Sequence, residues 1–378
     1  MKKKQIISFP HMGDYHIVIR SLLQNLFPHH EIRSAPPITK KTSALGEKHS
    51  PEAICEPFKY NMGNYMEALE NGATILLQTG TGCRYGYYSV LQEEILKNLG
   101  YEFTFLHLSR KNAYPLAAYK TLKAAGMQCS LFSTARYSIR AVYSIFILDK
   151  YADFLRKHQW KSAWKKHLDK QYHNLLLELE NVESVLDIFK LDRKYKKQCK
   201  KVIGNEKNAP IKIGIVGDLY TVMEPFANGN MEAFFLDRNI EIHRKMSVSF
   251  LLLGKRKASL LRKTKPYLSH HIGANGTDSV YQSLQYAKKN LDGIIQVKAF
   301  GCTPEINAMP ALQKIAKDFQ IPLLQLSFDI HQSEVGLLTR LEAFCDMLEM
   351  KRSTQDEEKS QFRNRYWFHF NKRGGVRP

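Results

Sequence analysis

Short apolar segments alternate with helix-type patterns in two separate parts of the chain, and this alternation limits the fold more than any other feature. In the first part the apolar segments are 5–9, 73–78 and 101–108, and in the second they are 211–217, 293–297 and 322–326. Between them, apolar residues recur every three or four positions, as they do in amphipathic helices. Strands that alternate with helices are typical of parallel sheets. The sequence therefore predicts an α/β protein with two lobes, each built on a doubly wound parallel sheet.

The 378 residues divide into four predicted parts. Residues 1–139 form a first α/β lobe, and residues 209–352 form a second one. Between them, 140–208 lacks strand patterns and is rich in lysine, which predicts a helical, basic linker segment. Residues 353–378 are polar and basic and are expected to form a tail.

Charge and hydropathy exclude several classes of protein. Apolar residues make up 44% of the chain, which is too many for a disordered protein. Only two apolar residues follow Lys2-Lys3-Lys4 before Phe9, and no apolar run approaches the length of a membrane span. A cytoplasmic protein without membrane contact is therefore expected. Lys and Arg exceed Asp and Glu by 56 to 36, a formal net charge of +20, which permits nucleic-acid binding. Because no recognition motif accompanies this excess, it favours a solvated face or a docking surface for an acidic partner.

Three of the six cysteines occupy similar contexts. Cys83 and Cys302 each follow a glycine just beyond a predicted strand, at the edge where open α/β sheets bind ligands. Cys55 and Cys302 each precede a proline by two residues, a spacing typical of the first turn of a helix. A helix N-terminus favours the thiolate form of cysteine. The pattern predicts that three thiolates from both lobes meet in the cleft between them.

Sulfur ligands without histidine favour a soft metal centre, and iron–sulfur clusters in particular. Three cysteines would leave one iron of a cubane open to water or substrate. The alternative is that all three are buried loop cysteines that only pack. The remaining cysteines, Cys129, Cys199 and Cys345, have no matching context and are expected to pack in the core.

The same residues resemble a known family. Segments 55–63 (CEPFKYNMG), 82–88 (GCRYGYY) and 300–304 (FGCTP) are similar to its three cysteine motifs. Segments 322–329 (PLLQLSFD) and 334–344 (EVGLLTRLEAF) are similar to its closing signature. The family is the 2-hydroxyacyl-CoA dehydratase component superfamily, in its branch of CoA-protein-activase or acyl-CoA dehydratase activase-related proteins. The resemblance covers residues 9–348 and is weakest over 140–208.

The resemblance implies two Rossmann-like lobes with a [4Fe-4S] cluster in the cleft, held by Cys55, Cys83 and Cys302. It also implies low-potential electron transfer to an activated acyl or similar small substrate, such as an acyl-CoA, as a lyase or reductase component. The electrons would come from a separate ATP-dependent activator or reductase protein. A double-cubane [8Fe-9S] cluster, which some relatives hold, calls for more cysteines than the three that match.

Three charged residues near these cysteines are candidate catalytic residues. Glu56 and Glu305 are candidates for acid–base chemistry, although capping of a helix N-terminus explains them equally well. Arg84 is a candidate for binding an anionic substrate, or for a structural salt bridge. The turn 217–220 carries Asp218 where relatives carry glutamate.

Two other functions remain open. One is a non-catalytic electron-transfer or scaffold subunit, and the other is a basic, nucleic-acid-associated protein whose cysteines are structural.

Overall fold

The computed structural model describes residues 5–80, 83–109, 114–200, 210–252 and 257–372, with only the backbone described beyond residue 354. Within these ranges the protein is a mixed α/β structure with two four-stranded, all-parallel sheets. The expectation of an α/β protein with parallel sheets is confirmed. None of the helices in the described part of the chain is long and apolar enough to cross a membrane.

The first lobe holds a sheet with strand order β2-β1-β3-β4. Its elements are β1 (Ile6–Phe9), α1 (Tyr15–Leu26), β2 (Glu31–Ser34), α2 (Lys40–Lys48), α3 (Glu56–Glu70), β3 (Ile75–Gly80), α4 (Tyr85–Asn98), β4 (Thr104–Ser109) and α5 (Pro115–Ala124). Alternate residues of β3 face opposite sides of the sheet. Ile75 and Leu77 belong to an apolar core with α1 and α5, whereas Leu76 belongs to a second core with α3 and α4. Helices therefore cover both faces of this sheet.

Three helices follow the first lobe, namely α6 (Leu131–His158), α7 (Ser162–Glu180) and α8 (Val185–Lys200). They form the predicted helical segment, but α6 begins at Leu131, within the range predicted for the first lobe. Residues 201–208 of the predicted segment lie outside the described residues. Both α6 and α7 pack on α1.

The second lobe repeats the strand order of the first as β6-β5-β7-β8. Its elements are β5 (Ile211–Gly217), α9 (Leu219–Met223), a 3-10 turn (Phe226–Asn228), α10 (Met231–Asp237), β6 (Ile240–Arg244), α11 (Val248–Leu252), α12 (Lys257–Thr264), α13 (Gly276–Lys288), β7 (Gly293–Ala299), α14 (Thr303–Asp318), β8 (Leu323–Phe328) and α15 (Glu334–Lys372). Helix α6 packs on β6 as well as on α1, so the helical segment joins the two lobes.

Both faces of the second sheet are also covered. Ile295 and Val297 belong to the large core shared with the helical segment and α15, whereas Ile294 packs with α13 and α14. The predicted tail from residue 353 continues α15 as helical backbone to Lys372, and 373–378 lie outside the described residues. The part of 353–378 that is described is therefore helical.

Candidate cysteine site

Each of the three predicted cysteines lies at the start of a helix. Cys55 is the N-cap residue of α3 and Cys302 is the N-cap residue of α14, both with a proline in the first turn. Cys83 lies two residues before α4, and its sulfur accepts a hydrogen bond from the Tyr85 backbone N–H at 3.4 Å. The helix N-termini predicted for Cys55 and Cys302 are confirmed.

The topology relates Cys83 and Cys302 but not Cys55. Cys83 and Cys302 each follow the third strand of their lobe, β3 and β7, and each precedes the next helix. Cys55 begins α3, the helix that leads into β3. Its counterpart in the second lobe is α13, whose N-cap residue is Asn275. The similarity of 55–57 to 302–304 therefore reflects a shared way of starting a helix and not equivalent places in the two lobes.

The three loops meet between the lobes. A Cβ atom at Gly301 would lie only 3.8 Å from the Cα atom of Cys55. The Arg84 guanidinium donates a hydrogen bond to the Gly301 carbonyl at 3.0 Å and so joins the start of α4 to the loop before α14. Cys83 acts electrostatically on the thiol of Cys55, and Cys55 acts on that of Cys302. The two lobes thus bring all three cysteines to one region at the carboxyl ends of β3 and β7.

Burial raises the pKa of these three thiols by more than the nearby helix N-termini lower it. It raises the pKa of the Cys55 thiol to about 11, and it raises the pKa of the Cys83 and Cys302 thiols as well. The Arg84 guanidinium opposes this rise in pKa at Cys55 and Cys83. The thiolates expected from sequence are therefore thiols at neutral pH unless a cation replaces their protons.

Two residues at the site escaped the sequence prediction. The Tyr88 hydroxyl lies 2.5 Å from the Cys55 sulfur, and its ring packs edge-on against Phe58. Asp218 is buried and accepts hydrogen bonds from the backbone N–H groups of Thr221 and Ala299. Its charge acts on the thiols of all three cysteines and raises their pKa. In the sequence, Tyr88 is only the last residue of the motif 82–88, and Asp218 is only a difference from relatives in the turn 217–220.

Gly217 explains why Asp218 can reach this position. Its φ of +154° is accessible to glycine, and a Cβ atom there would lie 1.8 Å from the Val297 carbonyl oxygen. The close approach of β5 to β7 therefore requires glycine. It also brings the Asp218 carboxylate within 2.8 Å of the Ala299 N–H, at the end of the strand that leads to Cys302.

The candidate residues Glu56 and Glu305 have different surroundings. Glu56 is buried, and Lys59 Nζ lies 3.0 Å from its Oε1. Glu305 accepts hydrogen bonds from Ser279 at 2.8 Å and from the Gln296 side chain at 3.0 Å. Both carboxylates lie in the first turn of their helices, α3 and α14, where the positive end of the helix dipole favours a negative charge. Burial raises the pKa of both carboxyl groups, and that of Glu305 reaches about 7.

The third candidate, Arg84, holds a backbone carbonyl of the other lobe, which gives it a structural contact in addition to its positive charge. Beyond Arg84, an ion pair and a histidine–carboxylate contact connect α2 with the start of α15 and the loop before it. Lys40 pairs with Glu334 at 2.7 Å, and Glu47 pairs with His331 at 2.9 Å. Asp329 lies in the same loop and accepts a hydrogen bond from the His331 backbone N–H.

Substitution of Glu305 by glutamine is expected to make stability less dependent on pH. The pKa of the Glu305 carboxyl is about 7 in the folded protein and 4.5 in the unfolded chain. As pH rises from 4.5 to 7, this carboxyl ionises in the unfolded chain but stays protonated in the folded protein, so the free energy of unfolding of the wild-type protein falls. Above pH 7 the carboxyl is ionised in both states, and the loss is complete. Glutamine removes this loss, and its amide oxygen can accept the hydrogen bond from Gln296 while its amide N–H donates to the Ser279 hydroxyl. The free energy of unfolding of Glu305→Gln should therefore gain about 2 kcal/mol on wild type between pH 5 and pH 8. Urea unfolding at both pH values measures this, and parallel pH profiles would contradict it.

The three other cysteines lie in apolar cores. Cys199 and Cys345 are buried in the large core that the helical segment shares with the second lobe. Cys129 packs on the core beneath α1 and donates a hydrogen bond to the Asn25 carbonyl at 3.3 Å. All six cysteines are free. The packing role predicted for these three is confirmed.

The donor geometry tests which metal centre the site fits. In the described part of the chain, no group of three His, Cys, Asp or Glu side chains is placed to hold a single metal ion. An iron–sulfur cluster bonds each thiolate to a different iron, so its ligands lie further apart than those around one ion. A set of three sulfur donors fits a cluster of this kind.

A scan against protein-family models finds no match, and a search of the curated proteins finds none. The interpretation of the site therefore depends on the residues and contacts of this chain. The resemblance of its cysteine motifs to dehydratase components remains a prediction.

Proposed function

We propose that this chain is an iron–sulfur protein with two Rossmann-like, doubly wound lobes, in which Cys55, Cys83 and Cys302 hold a [4Fe-4S] cluster in the cleft. The observation that carries the proposal is the meeting of the three cysteine loops, joined by the contact of Arg84 with Gly301 and by the approach of Gly301 to Cys55. Sheets covered by helices on both faces support the fold. The six free cysteines fit the reducing cytoplasm predicted from sequence.

When bound, such a cluster would supply single electrons at low potential and one iron without a protein ligand. The surrounding residues would prepare its ligands. Tyr88 can donate a hydrogen bond to the Cys55 thiolate, and the guanidinium of Arg84 offsets negative charge at Cys55 and Cys83. Because burial keeps the free thiols protonated, loading the site releases protons, and cluster assembly should be favoured by higher pH.

The proposed reaction is reduction or radical dehydration of an activated acyl or similar small substrate, with electrons from a separate ATP-dependent activator. Glu56 is the better candidate for proton transfer. It is buried beside Cys55 with a raised pKa, and within the described part of the chain its carboxylate approaches a single side-chain donor, Lys59. Glu305 is already engaged by Ser279 and Gln296, which favours a structural role. Arg84 lies at the surface, where it can also contact an anionic substrate.

The first experiment is the iron and acid-labile sulfide content of protein purified without oxygen, with its visible spectrum. About four irons and four sulfides per chain, with broad absorption near about 400 nm, are expected for one [4Fe-4S] cluster. About eight irons would contradict the single cluster and support a double cubane. No iron after anaerobic reconstitution would overturn the proposal and leave the cysteines with a structural role.

A further inference from the structure

A row of positive side chains follows one face of α8. Arg193, Lys196, Lys197 and Lys200 are spaced three and four residues apart, so they share a face over about 10 Å of helix. All four are exposed, and within the described ranges of the chain none of them forms an ion pair. Like charges at this spacing destabilise an isolated helix, and a bound anion would relieve that repulsion.

The acidic residues next to this row are already paired elsewhere. Asp192 binds Lys150 on α6 and accepts a hydrogen bond from the Tyr151 hydroxyl. Glu178 on α7 pairs with Lys194 and accepts a hydrogen bond from the Tyr195 hydroxyl at 2.6 Å. The carboxylates therefore hold α8 against its neighbours and leave the charge of the row uncompensated.

Two exposed aromatic rings extend the row toward the start of α8. Phe189 lies four residues before Arg193, on the same face, and is 47% exposed. Its ring contacts that of Tyr143 on α6 at 5.6 Å between centroids, and Tyr143 is 40% exposed. The surface of α8 and α6 thus combines a pair of aromatic rings with a line of four cations.

The position of this surface argues against a role in electron delivery. Helix α8 packs on α6 and α7, whereas the cysteines begin α3 and α14 or precede α4. An electron donor would have to approach those helix starts and not the exposed face of α8.

We propose that this face of α8 and α6 binds single-stranded nucleic acid. Phosphates would follow Arg193, Lys196, Lys197 and Lys200, and a base would stack on Phe189 or Tyr143. Cations that follow the backbone beside aromatic rings are the pattern used for single strands, and a net charge of +20 favours polyanions in general. An acidic protein would use the cations but would gain little from the aromatic pair.

The test is fluorescence anisotropy of a labelled, mixed-sequence 20-nucleotide single-stranded RNA with the full chain, at salt concentrations of about 50 to 200 mM. The variant replaces Arg193, Lys196, Lys197 and Lys200 with glutamine. Its affinity for RNA should fall at least tenfold. The slope of log affinity against log salt concentration should become shallower by about three, the slope expected for four phosphate contacts on a single strand. The matched control removes the same charge from four scattered, exposed lysines, Lys41, Lys120, Lys288 and Lys317, and should lose less than threefold.

A second variant, Phe189→Ala, separates stacking from charge. It should weaken RNA binding about fivefold while leaving the salt dependence unchanged, because base stacking on an aromatic side chain carries no charge. Equal losses in the row variant and its control, or no binding by the wild-type chain, would overturn the proposal. Polyglutamate and phosphatidylserine vesicles test whether the cations bind any polyanion. The proposal would also be overturned if the row variant lost as much affinity for either of these as for RNA, and if Phe189→Ala bound RNA as tightly as the wild-type chain. Circular dichroism of each variant verifies that α8 still folds.

Discussion

Replacing Cys302 with alanine is expected to remove nearly all of the bound iron from protein purified without oxygen. Cys302 is the only proposed ligand that the second lobe contributes, so its loss leaves two cysteines, both from the first lobe. Two thiolates cannot retain a cubane that already lacks a fourth protein ligand. Cys55→Ala and Cys83→Ala should lose iron for the same reason. Iron, acid-labile sulfide and visible absorption measured on each variant give the result.

The matched controls are alanine variants of cysteines that pack elsewhere. Cys129→Ala and Cys345→Ala remove a sulfur from apolar surroundings, where cysteine behaves as a small hydrophobic residue. Both should keep the iron content of the wild-type chain, with a modest loss of thermal stability. Full iron in Cys55→Ala, Cys83→Ala or Cys302→Ala would remove that residue from the proposed ligand set. Equal loss of iron in Cys345→Ala would indicate damage to folding in place of loss of a ligand.

The substitution Gly63→Ala is expected to cause a large loss of stability in the first lobe. A Cβ atom at Gly63 on α3 would lie 2.0 Å from the carbonyl oxygen of Thr42 on α2. The reciprocal contact is as close, since a Cβ atom at Gly46 would lie 1.8 Å from the Lys59 carbonyl oxygen. Backbone atoms of a helix cannot move aside locally, so the two helices would have to separate. Overpacking of this kind costs about 3 kcal/mol.

Gly336→Ala is the matched control for this prediction. Gly336 also lies in a helix, α15, but it is exposed and its nearest neighbour to an added Cβ atom is 3.5 Å away. Alanine there should stabilise the protein by up to about 1 kcal/mol, because it lowers the conformational entropy of the unfolded chain. Thermal and urea unfolding should show a lower free energy of unfolding for Gly63→Ala and a higher one for Gly336→Ala, if the contact between α2 and α3 is the cause. Similar small effects in both would contradict it.

The apolar runs in the sequence predict the four central strands and two of the four edge strands, β4 and β8. β5 was predicted with its observed bounds, and β3 and β7 were placed within about two residues, because their runs of Ile, Leu and Val have the composition of central parallel strands. The strands β2 (Glu-Ile-Arg-Ser) and β6 (Ile-Glu-Ile-His-Arg) were not predicted. Both are edge strands with polar side chains at alternate positions, so a short sequence window shows no apolar run.

The candidate site was predictable where backbone signals determine it. Proline after Cys55 and Cys302 located two helix starts, and glycine before Cys83 and Cys302 located the loops after two strands. The charge state of the thiols was not predictable, because their burial in the folded chain decides it and leaves no local signal in the sequence. The same holds for Tyr88 and Asp218, whose contacts with the site depend on how separate elements pack.

Cys83 and Cys302 each follow the third strand of their lobe, and the two lobes have the same strand order. This equivalence limits how many cysteines two identical halves could supply to one site. A single half, paired with a copy of itself, would offer two equivalent cysteines related by symmetry. Cys55 has no counterpart, because the second lobe carries Asn275 at the matching helix start. Because the two lobes belong to one chain, they can carry different residues at matching places, and an odd number of cysteines can face the cleft. The proposed cluster with one unliganded iron would depend on this asymmetry.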